Sequence, residues 1–300
     1  MQGIQKLTIN GTQITNQQDI ANTLNRYFSS VNNSESNSDK LGNVEYDNLS
    51  TYSNFEQGKG TPAPPLVFKS FSTNEITQII KSLKTKNSSG YDEINTKLLK
   101  IYICSPVTHI CNKSISTGIY PERLKFSIIK PLFKKGVRTS LSNYRPISLL
   151  TTFSKVIEKA LYNRLIGHLN INSLLNPQQF GFRRNLSTDN AIFNLTHEIL
   201  KALNSKMIVG SIFFDLEEAF ESINHALLIN KLPQYGILGK SKLLIQSYLT
   251  NRFQRVQLDN SFLDEKLDST WMKVKRGVPQ GSILGPLLFI LYRVFHDFRA

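Results

Sequence analysis

Apolar residues recur at helical spacing along much of this chain. Ile20, Leu24 and Phe28 lie four residues apart and predict a helix over residues 17–31. Apolar residues at the same spacing, from Ile157 to Leu169, predict a longer helix over residues 154–169. Further helices are predicted after the capping box Ser72-Thr73-Asn74-Glu75, near 95–103, over 188–204, around 226–232 and over 240–249.

Shorter apolar runs predict β-strands. Residues 127–133 and 144–149 are strand-like and flank a polar turn. Residues 208–214 form a strongly apolar run that ends at Asp215, and we expect it to be a strand in the core. Residues 255–258 and 271–275 alternate between apolar and polar positions, so they could pair as a hairpin.

The first 65 residues differ in composition from the rest. They are rich in Asn, Ser and Thr, and residues 32–65 have the composition of a flexible linker. We therefore interpret residues 1–65 as a mostly flexible N-terminal linker that carries one helix, and we expect the ordered part to begin near Leu66.

Positive charge is concentrated in one block. The whole chain has a net charge of +14, and residues 66–184 alone hold nineteen Lys and Arg against five Asp and Glu. Such a block is typical of a protein that follows a phosphate backbone. Codon bias towards Lys is the alternative, but bias should act on the whole chain, and the flanking segments are close to neutral.

The sequence predicts neither a signal peptide nor a membrane span. Met1-Gln2-Gly3-Ile4 leads into polar sequence, and the longest apolar stretch, residues 283–292, is shorter than the ~20 residues that a span needs, so we expect a buried helix there. Cys104 and Cys111 have no partners at zinc spacing and are expected to be free core thiols, which fits a reducing compartment. We expect an intracellular protein of the nucleus or cytoplasm.

Asp215 is the first candidate for chemistry. An acid at the end of an apolar strand is costly unless it has a purpose, and Mg²⁺ sites use carboxylates together with substrate phosphates. The alternative is a helix N-cap, worth ~1 kcal/mol, because Leu216 and the residues after it could begin a helix. The sequence leaves both possibilities open.

A glycine-bracketed loop and a basic hairpin are the other candidates. Gly277 and Gly281 enclose Gln280, so the backbone could approach a ligand closely, although an ordinary turn before a helix would also use glycine and proline. Lys134, Lys135 and Arg145 would come together if the two strand-like runs pair; a solvated hairpin tip is the alternative for each lysine, while the planar guanidinium of Arg145 suits phosphate. His225 and Glu221, four residues apart, are interpreted as a surface pair.

Taken in order, the motifs resemble those of one enzyme family. They lie at residues 89–92, 119–121, 131–136, 143–150, 179–183, 214–216 and 276–286. Together they resemble the reverse transcriptases of non-LTR retrotransposons, of the LINE or jockey-like kind, over roughly residues 66–292. A group II intron maturase is a less good match, because the stretches at 134–136 and 143–148 look retrotransposon-like.

The resemblance implies an α+β right-hand polymerase. Residues 66–200 would form basic, helical fingers and residues 201–300 a partial palm, with the thumb absent. The implied reaction is the RNA-directed synthesis of DNA, in which two Mg²⁺ ions assist transfer of a nucleotide from dNTP to a primer 3′-OH. The implied partners are an RNA template, a DNA primer and dNTP, with no membrane.

The resemblance also implies a role for each site residue. Asp215 would bind both metal ions, Leu216 would offer its carbonyl oxygen, and Phe220 would exclude a ribose 2′-OH. The remaining nucleotide contacts would come from Gln280, Gly281, Lys134, Lys135 and Arg145.

One departure from the family concerns activity. The third motif, an aromatic residue followed by x-Asp-Asp, has no counterpart, since the sequence contains no Asp-Asp pair, and Asp297 does not substitute for it. We therefore expect this chain to be a catalytically inactive fragment, poorly soluble because residues 208–214 would form an unpaired apolar edge. The alternative is a non-catalytic remnant that binds RNA or DNA.

Overall fold

The structure is a computed structural model in which helices and one main sheet are mixed, as an α+β fold. It describes residues 4–30, 63–85, 88–97, 99, 103–216, 218–260 and 265–293. The helices in this part of the chain are α1 (Gln17–Ser30), α2 (Thr73–Ser82), α3 (Cys104–Thr117), α4 (Thr152–Ile171), α5 (Thr188–Asn204), α6 (His225–Lys231), α7 (Gly239–Leu249) and α8 (Gly285–Tyr292). The strands are β1 (Leu7–Ile9), β2 (Thr12–Ile14), β3 (Phe126–Phe133), β4 (Tyr144–Leu149), β5 (Arg252–Asn260), β6 (Glu265–Asp268) and β7 (Met272–Val274).

The main sheet has five strands and joins distant parts of the chain. Its order is β4-β3-β5-β6, and β7 also pairs with β5. The predicted pairing of β3 with β4 is confirmed as antiparallel, and β3 pairs with β5 in parallel. The predicted hairpin of residues 255–258 with 271–275 is wrong in its residues, because residues 252–254 pair with 272–274 and residues 257–260 pair with 265–268 of β6.

Two hydrophobic cores hold the elements together. The larger is built mainly from helices, including α2, α3, α4, α7 and α8. In the smaller, Ile20, Leu24 and Phe28 of α1 pack on Ile129 and Val256 of the sheet. The predicted helix at 17–31 is therefore confirmed and belongs to the folded unit, while residues 31–62 of the expected linker lie outside the described residues.

Local signals account for most helix boundaries. Ser72 caps α2, its side chain accepting a hydrogen bond from the Glu75 N–H at 3.2 Å, as the capping box predicts. The side chain of Glu75 instead pairs with Arg164 of α4, at 2.8 Å. Pro286 lies in the first turn of α8, where its missing N–H leaves no helical bond unmade.

The predicted core strand at residues 208–214 is wrong. These residues are described without strand pairing, and the side chains of Ile212 and Phe214 are 81% and 88% exposed. A strand is stabilised by a hydrogen-bonded neighbour as well as by its own composition, and none of the described strands pairs with this segment. Helix α5, which precedes it, also has no buried residue.

Other expectations from the sequence have mixed outcomes. Both cysteines are free, and Cys111 is buried. No helix in the described ranges is both long enough and apolar enough to span a membrane. The helix predicted near 95–103 falls partly outside the described residues.

Candidate functional site

The basic side chains lie at the end of the β3–β4 hairpin. Lys134 and Lys135 directly follow β3 and are exposed, and the Lys134 N–H donates to the carbonyl oxygen of Asn143 at 2.8 Å. Arg145 is exposed on β4, opposite Leu132 in the register. The sequence therefore places all three cations at one end of the sheet, open to solvent.

The glycine-bracketed loop continues this sheet edge. The Ser148 N–H, near the end of β4, donates to the carbonyl oxygen of Gln280 at 2.8 Å. Gly281 has a φ of +111°, and a Cβ atom there would lie 3.0 Å from the carbonyl oxygen of Ser148. Gln280 and Gly281 are thus fixed against the strand that carries Arg145.

The other side of the loop is bonded to the turn that follows Asp215. The Gly277 N–H donates to the carbonyl oxygen of Ile223 at 2.8 Å, and the Val278 N–H donates to that of Phe220 at 2.9 Å. Gly277 has a φ of +79°, and a Cβ atom there would lie 2.8 Å from Glu221 Cα. Only glycine allows the two backbones to approach so closely.

The expected surface pair of His225 and Glu221 is wrong, because both side chains contribute to this packed region. His225 Nε2 lies 2.7 Å from the carbonyl oxygen of Gly277, so Nε2 carries the hydrogen and donates it. Burial lowers the pKa of His225, and the positive charge of Arg252 lowers it further. Burial raises the pKa of Glu221, and the positive charge of Lys134 acts against that shift.

Phe220 belongs to a small aromatic cluster. Its ring centroid lies 5.6 Å from that of Phe182 and 5.5 Å from that of Phe289 on α8. Rings at these distances and tilts attract each other in addition to burying area. The cluster fixes the Phe220 ring, while the Phe220 carbonyl oxygen bonds the loop at Val278 and the loop bonds β4 through Gln280.

Asp215 and Leu216 are less constrained. Both are exposed, and Asp215 Oδ1 accepts a hydrogen bond from the neighbouring Leu216 N–H at 2.9 Å. Asp215 does not begin a helix, since a turn is described at residues 218–222. Five residues separate Asp215 from Phe220, so their Cα atoms lie at most about 18 Å apart.

The described residues do not form a complete metal site. Nowhere among them do three or more His, Cys, Asp or Glu side chains meet in a group that could hold a metal ion. Of the predicted site residues, Asp215 supplies one exposed carboxylate. That fits only a site in which Mg²⁺ is bound by one carboxylate together with the phosphates of a substrate.

Sequence reasoning missed two buried charges behind the loop. Glu158 on α4 is fully buried, and Arg252 at the start of β5 is 2% exposed. Burial raises the pKa of Glu158, and the charge of Arg252 opposes this. A signal was present, because Glu158 interrupts the apolar face between Ile157 and Leu161. The pattern did not predict that Arg252 would supply the opposing charge.

The chain is similar to known proteins of one family. Residues 132–299 match the family model "Reverse transcriptase (RNA-dependent DNA polymerase)". The chain is 33% identical over 237 residues to the "Probable RNA-directed DNA polymerase from transposon BS" of Drosophila melanogaster, an alignment that covers 76% of this chain and 25% of that protein.

Two other similar proteins come from mobile elements as well. One is the "Probable RNA-directed DNA polymerase from transposon X-element" of Drosophila melanogaster, 31% identical over 76% of this chain and 24% of its own length. The other is the "RNA-directed DNA polymerase from mobile element jockey" of Drosophila funebris, 27% identical over 77% of this chain and 24% of its own length. The chain spans about a quarter of the length of these relatives. The family match, which includes β4, the turn and the loop, shows that the chain belongs to the reverse transcriptase family of non-LTR, jockey-like retrotransposons.

Proposed function

We propose that this chain contributes the fingers and part of the palm of a retrotransposon reverse transcriptase. Residues 66–200 would form the fingers and residues 201–300 part of the palm. The parallel pairing of β3 with β5 would then link the two regions through one sheet. The partners would be an RNA template, a DNA primer and dNTP, in the nucleus or cytoplasm.

One observation carries this proposal: the loop is bonded on one side to β4 and on the other to the turn after Asp215. The bonds at Gln280 and Val278 join the loop to the strand that carries the exposed Arg145 and to the backbone of Phe220, which supports a site that combines cations with an aromatic residue. A nucleoside triphosphate can use both, since its phosphates attract cations and its base presents flat, apolar faces.

Each predicted residue then has a proposed role. Lys134, Lys135 and Arg145 would bind the triphosphate, with the guanidinium able to make two parallel bonds to one phosphate. Gln280 and Gly281 would contact the incoming nucleotide and the template. Phe220, held by its two aromatic neighbours, would exclude a ribose 2′-OH and so favour dNTP over rNTP.

Asp215 is the proposed metal ligand, with the Leu216 carbonyl beside the nucleotide. Mg²⁺ bound there would neutralise charge on the phosphates. The chain's own contribution would be to hold the triphosphate between the hairpin cations and the loop, with the sugar against Phe220. The exposure of Asp215 leaves it accessible to a metal–nucleotide complex that approaches from solvent.

Binding of a fluorescent dNTP, measured with and without Mg²⁺, tests the proposal. We expect Mg²⁺-dependent binding that Asp215→Ala weakens by at least about tenfold, since a charge-assisted contact is worth ~1.5–3 kcal/mol. Glu198→Ala on α5 is the matched control, because it also removes an exposed carboxylate but lies outside the proposed site.

The alternative is a non-catalytic remnant that binds RNA or DNA. Salt-sensitive RNA binding that persists in Asp215→Ala is expected under both functions, so Mg²⁺-dependent dNTP binding separates them. If the unaltered chain binds RNA but shows no Mg²⁺-dependent dNTP binding, the nucleotide-binding role is refuted and a non-catalytic nucleic-acid-binding role remains.

A further inference from the structure

The buried carboxylate of Glu158 bonds the far end of the glycine-bracketed loop. Glu158 Oε2 lies 2.7 Å from the N–H nitrogen of Ile283 and 3.3 Å from that of Leu284. These two amides directly precede α8: Leu284 is its N-cap residue and Ile283 comes just before, so neither N–H has a partner within the helix. The carboxylate therefore takes the place of a capping side chain, although it comes from a helix 125 residues earlier in the chain.

The carboxylate is itself held in one position. Glu158 Oε1 accepts a hydrogen bond from Ser154 Oγ at 2.9 Å, and Ser154 Oγ is also 2.8 Å from the hydroxyl oxygen of Tyr120. Arg252, buried nearby, donates to the carbonyl oxygen of Tyr248 at 3.0 Å and supplies a compensating positive charge. A group fixed by so many buried contacts cannot move without breaking them.

This contact completes the attachment of the loop. Its first part is bonded to the turn through Gly277 and Val278, and its middle is bonded to β4 through Gln280. Glu158 then fixes the residues that directly follow Ser282. Without it, two N–H groups in the interior would lose their acceptor, which costs more than the bonds themselves contribute.

We infer that Glu158 is the positioning residue of this loop, and that it holds Gln280 and Gly281 at their place by bonding Ile283 and Leu284, the two residues that join the loop to α8. It acts through the loop backbone and touches no nucleotide. The effect on nucleotide binding rests on the proposed function, whereas the attachment of the loop does not.

Amide hydrogen exchange of the full chain, resolved at Ile283 and Leu284, tests the attachment directly. Glu158→Ala removes the acceptor, and we expect these two amides to exchange about tenfold to a hundredfold faster, as for loss of a bond to a charged group. Glu158→Gln keeps one carbonyl oxygen for the amides and places a donor towards Ser154, so it should restore slow exchange. Ser154→Ala, a smaller change, should show the same effect at reduced size, and it serves if Glu158→Ala does not fold.

Leu165→Ala is the matched control, because Leu165 is fully buried on the same helix, about two turns beyond Glu158. It should lower the global stability without selectively speeding exchange at the two amides. The inference is overturned if Glu158→Ala or Ser154→Ala leaves this exchange unchanged, if Glu158→Gln fails to restore it, or if Leu165→Ala reproduces the pattern.

Binding of a fluorescent dNTP supplies a second measurement. Glu158→Ala should lower the affinity about tenfold while Glu158→Gln retains it, because a displaced loop misplaces Gln280. If the unaltered chain binds no dNTP, the proposed function fails, and the exchange measurement alone decides the role of Glu158.

Discussion

Replacing Gly277 with alanine should be far more damaging than an ordinary glycine substitution. The positive φ of +79° costs a residue with a Cβ atom about 1–2 kcal/mol. The Cβ atom would also lie 2.8–3.0 Å from backbone atoms of Glu221 and Phe220, which cannot rotate away. The loop would have to separate from the turn, losing two backbone hydrogen bonds worth ~1 kcal/mol each. The expected loss of unfolding free energy is therefore about 3–4 kcal/mol.

Gly11→Ala is the matched control, because it introduces the backbone strain without the steric overlap of the Cβ atom. Gly11 has nearly the same φ, +82°, but nothing lies within 4 Å of the position of its Cβ atom. It should lose only the ~1–2 kcal/mol of backbone strain. The two variants should then differ by about 2 kcal/mol, or roughly thirtyfold in the folding equilibrium.

Urea unfolding, followed by the fluorescence of Trp271, measures this difference. Trp271 is the single tryptophan of the chain, and it contacts Phe126 of the main sheet. Equal losses in Gly277→Ala and Gly11→Ala would refute the reasoning, because they would show that the loop does not press on the turn at Glu221.

Two further outcomes are expected. Arg145→Ala should weaken binding of a fluorescent dNTP about tenfold. Arg138→Ala, which removes a guanidinium stacked on Phe133 at 4.5 Å, should leave this binding unchanged. Equal losses of affinity in the two variants would point to a general charge effect. His225→Gln should reduce the loss of stability at acid pH. The pKa of His225 is lowered in the fold, so the unfolded state binds more protons and stability falls as the pH drops through about 6.5. Urea midpoints at about pH 7.5 and about pH 5.5 measure this, and an equal drop in both proteins would exclude the histidine as its source.

Local pattern was sufficient wherever an element is stabilised within its own segment. The four-residue spacing of Ile20, Leu24 and Phe28 predicted α1, and the capping signal at Ser72 predicted the start of α2. The same holds for β3 and β4, whose partner lies just across a short turn. The hydrophobic spacing and the boundary residues that define these elements lie within or next to the elements themselves.

Pattern failed where the stabilising partner is distant. The apolar run at residues 208–214 has strand composition, but no described strand lies beside it, and composition alone cannot supply one. The role of Glu158 was missed for the same reason, because its two bonded amides lie on another element. His225 and Glu221 were misread because their spacing was taken as helical, whereas α6 begins at His225 and Glu221 lies in the preceding turn.

For the candidate site, too, the sequence predicted the local backbone requirement but not the contacts made with other parts or with ligands. The glycine spacing correctly indicated a backbone requirement, which the structure shows to be close approach to Glu221 and Ser148 of this chain. The ligand contact of Gln280 and Gly281 stays a prediction. The proposed nucleotide contacts of Lys134, Lys135 and Arg145 remain predictions, because exposed cations are compatible with phosphate binding and with solvation alike.

The packing of α1 on β5 has a consequence for biosynthesis. Asn25 of α1 bonds Gln254 of β5 across 229 residues of sequence. A ribosome adding about 5–20 residues per second needs roughly 10–50 s to make the intervening chain. During that interval the apolar face of Ile20, Leu24 and Phe28 has no sheet surface from β5 to cover it. The nascent chain therefore exposes the apolar face of α1 until β5 has been made, which makes α1 a natural point for chaperone capture or premature aggregation.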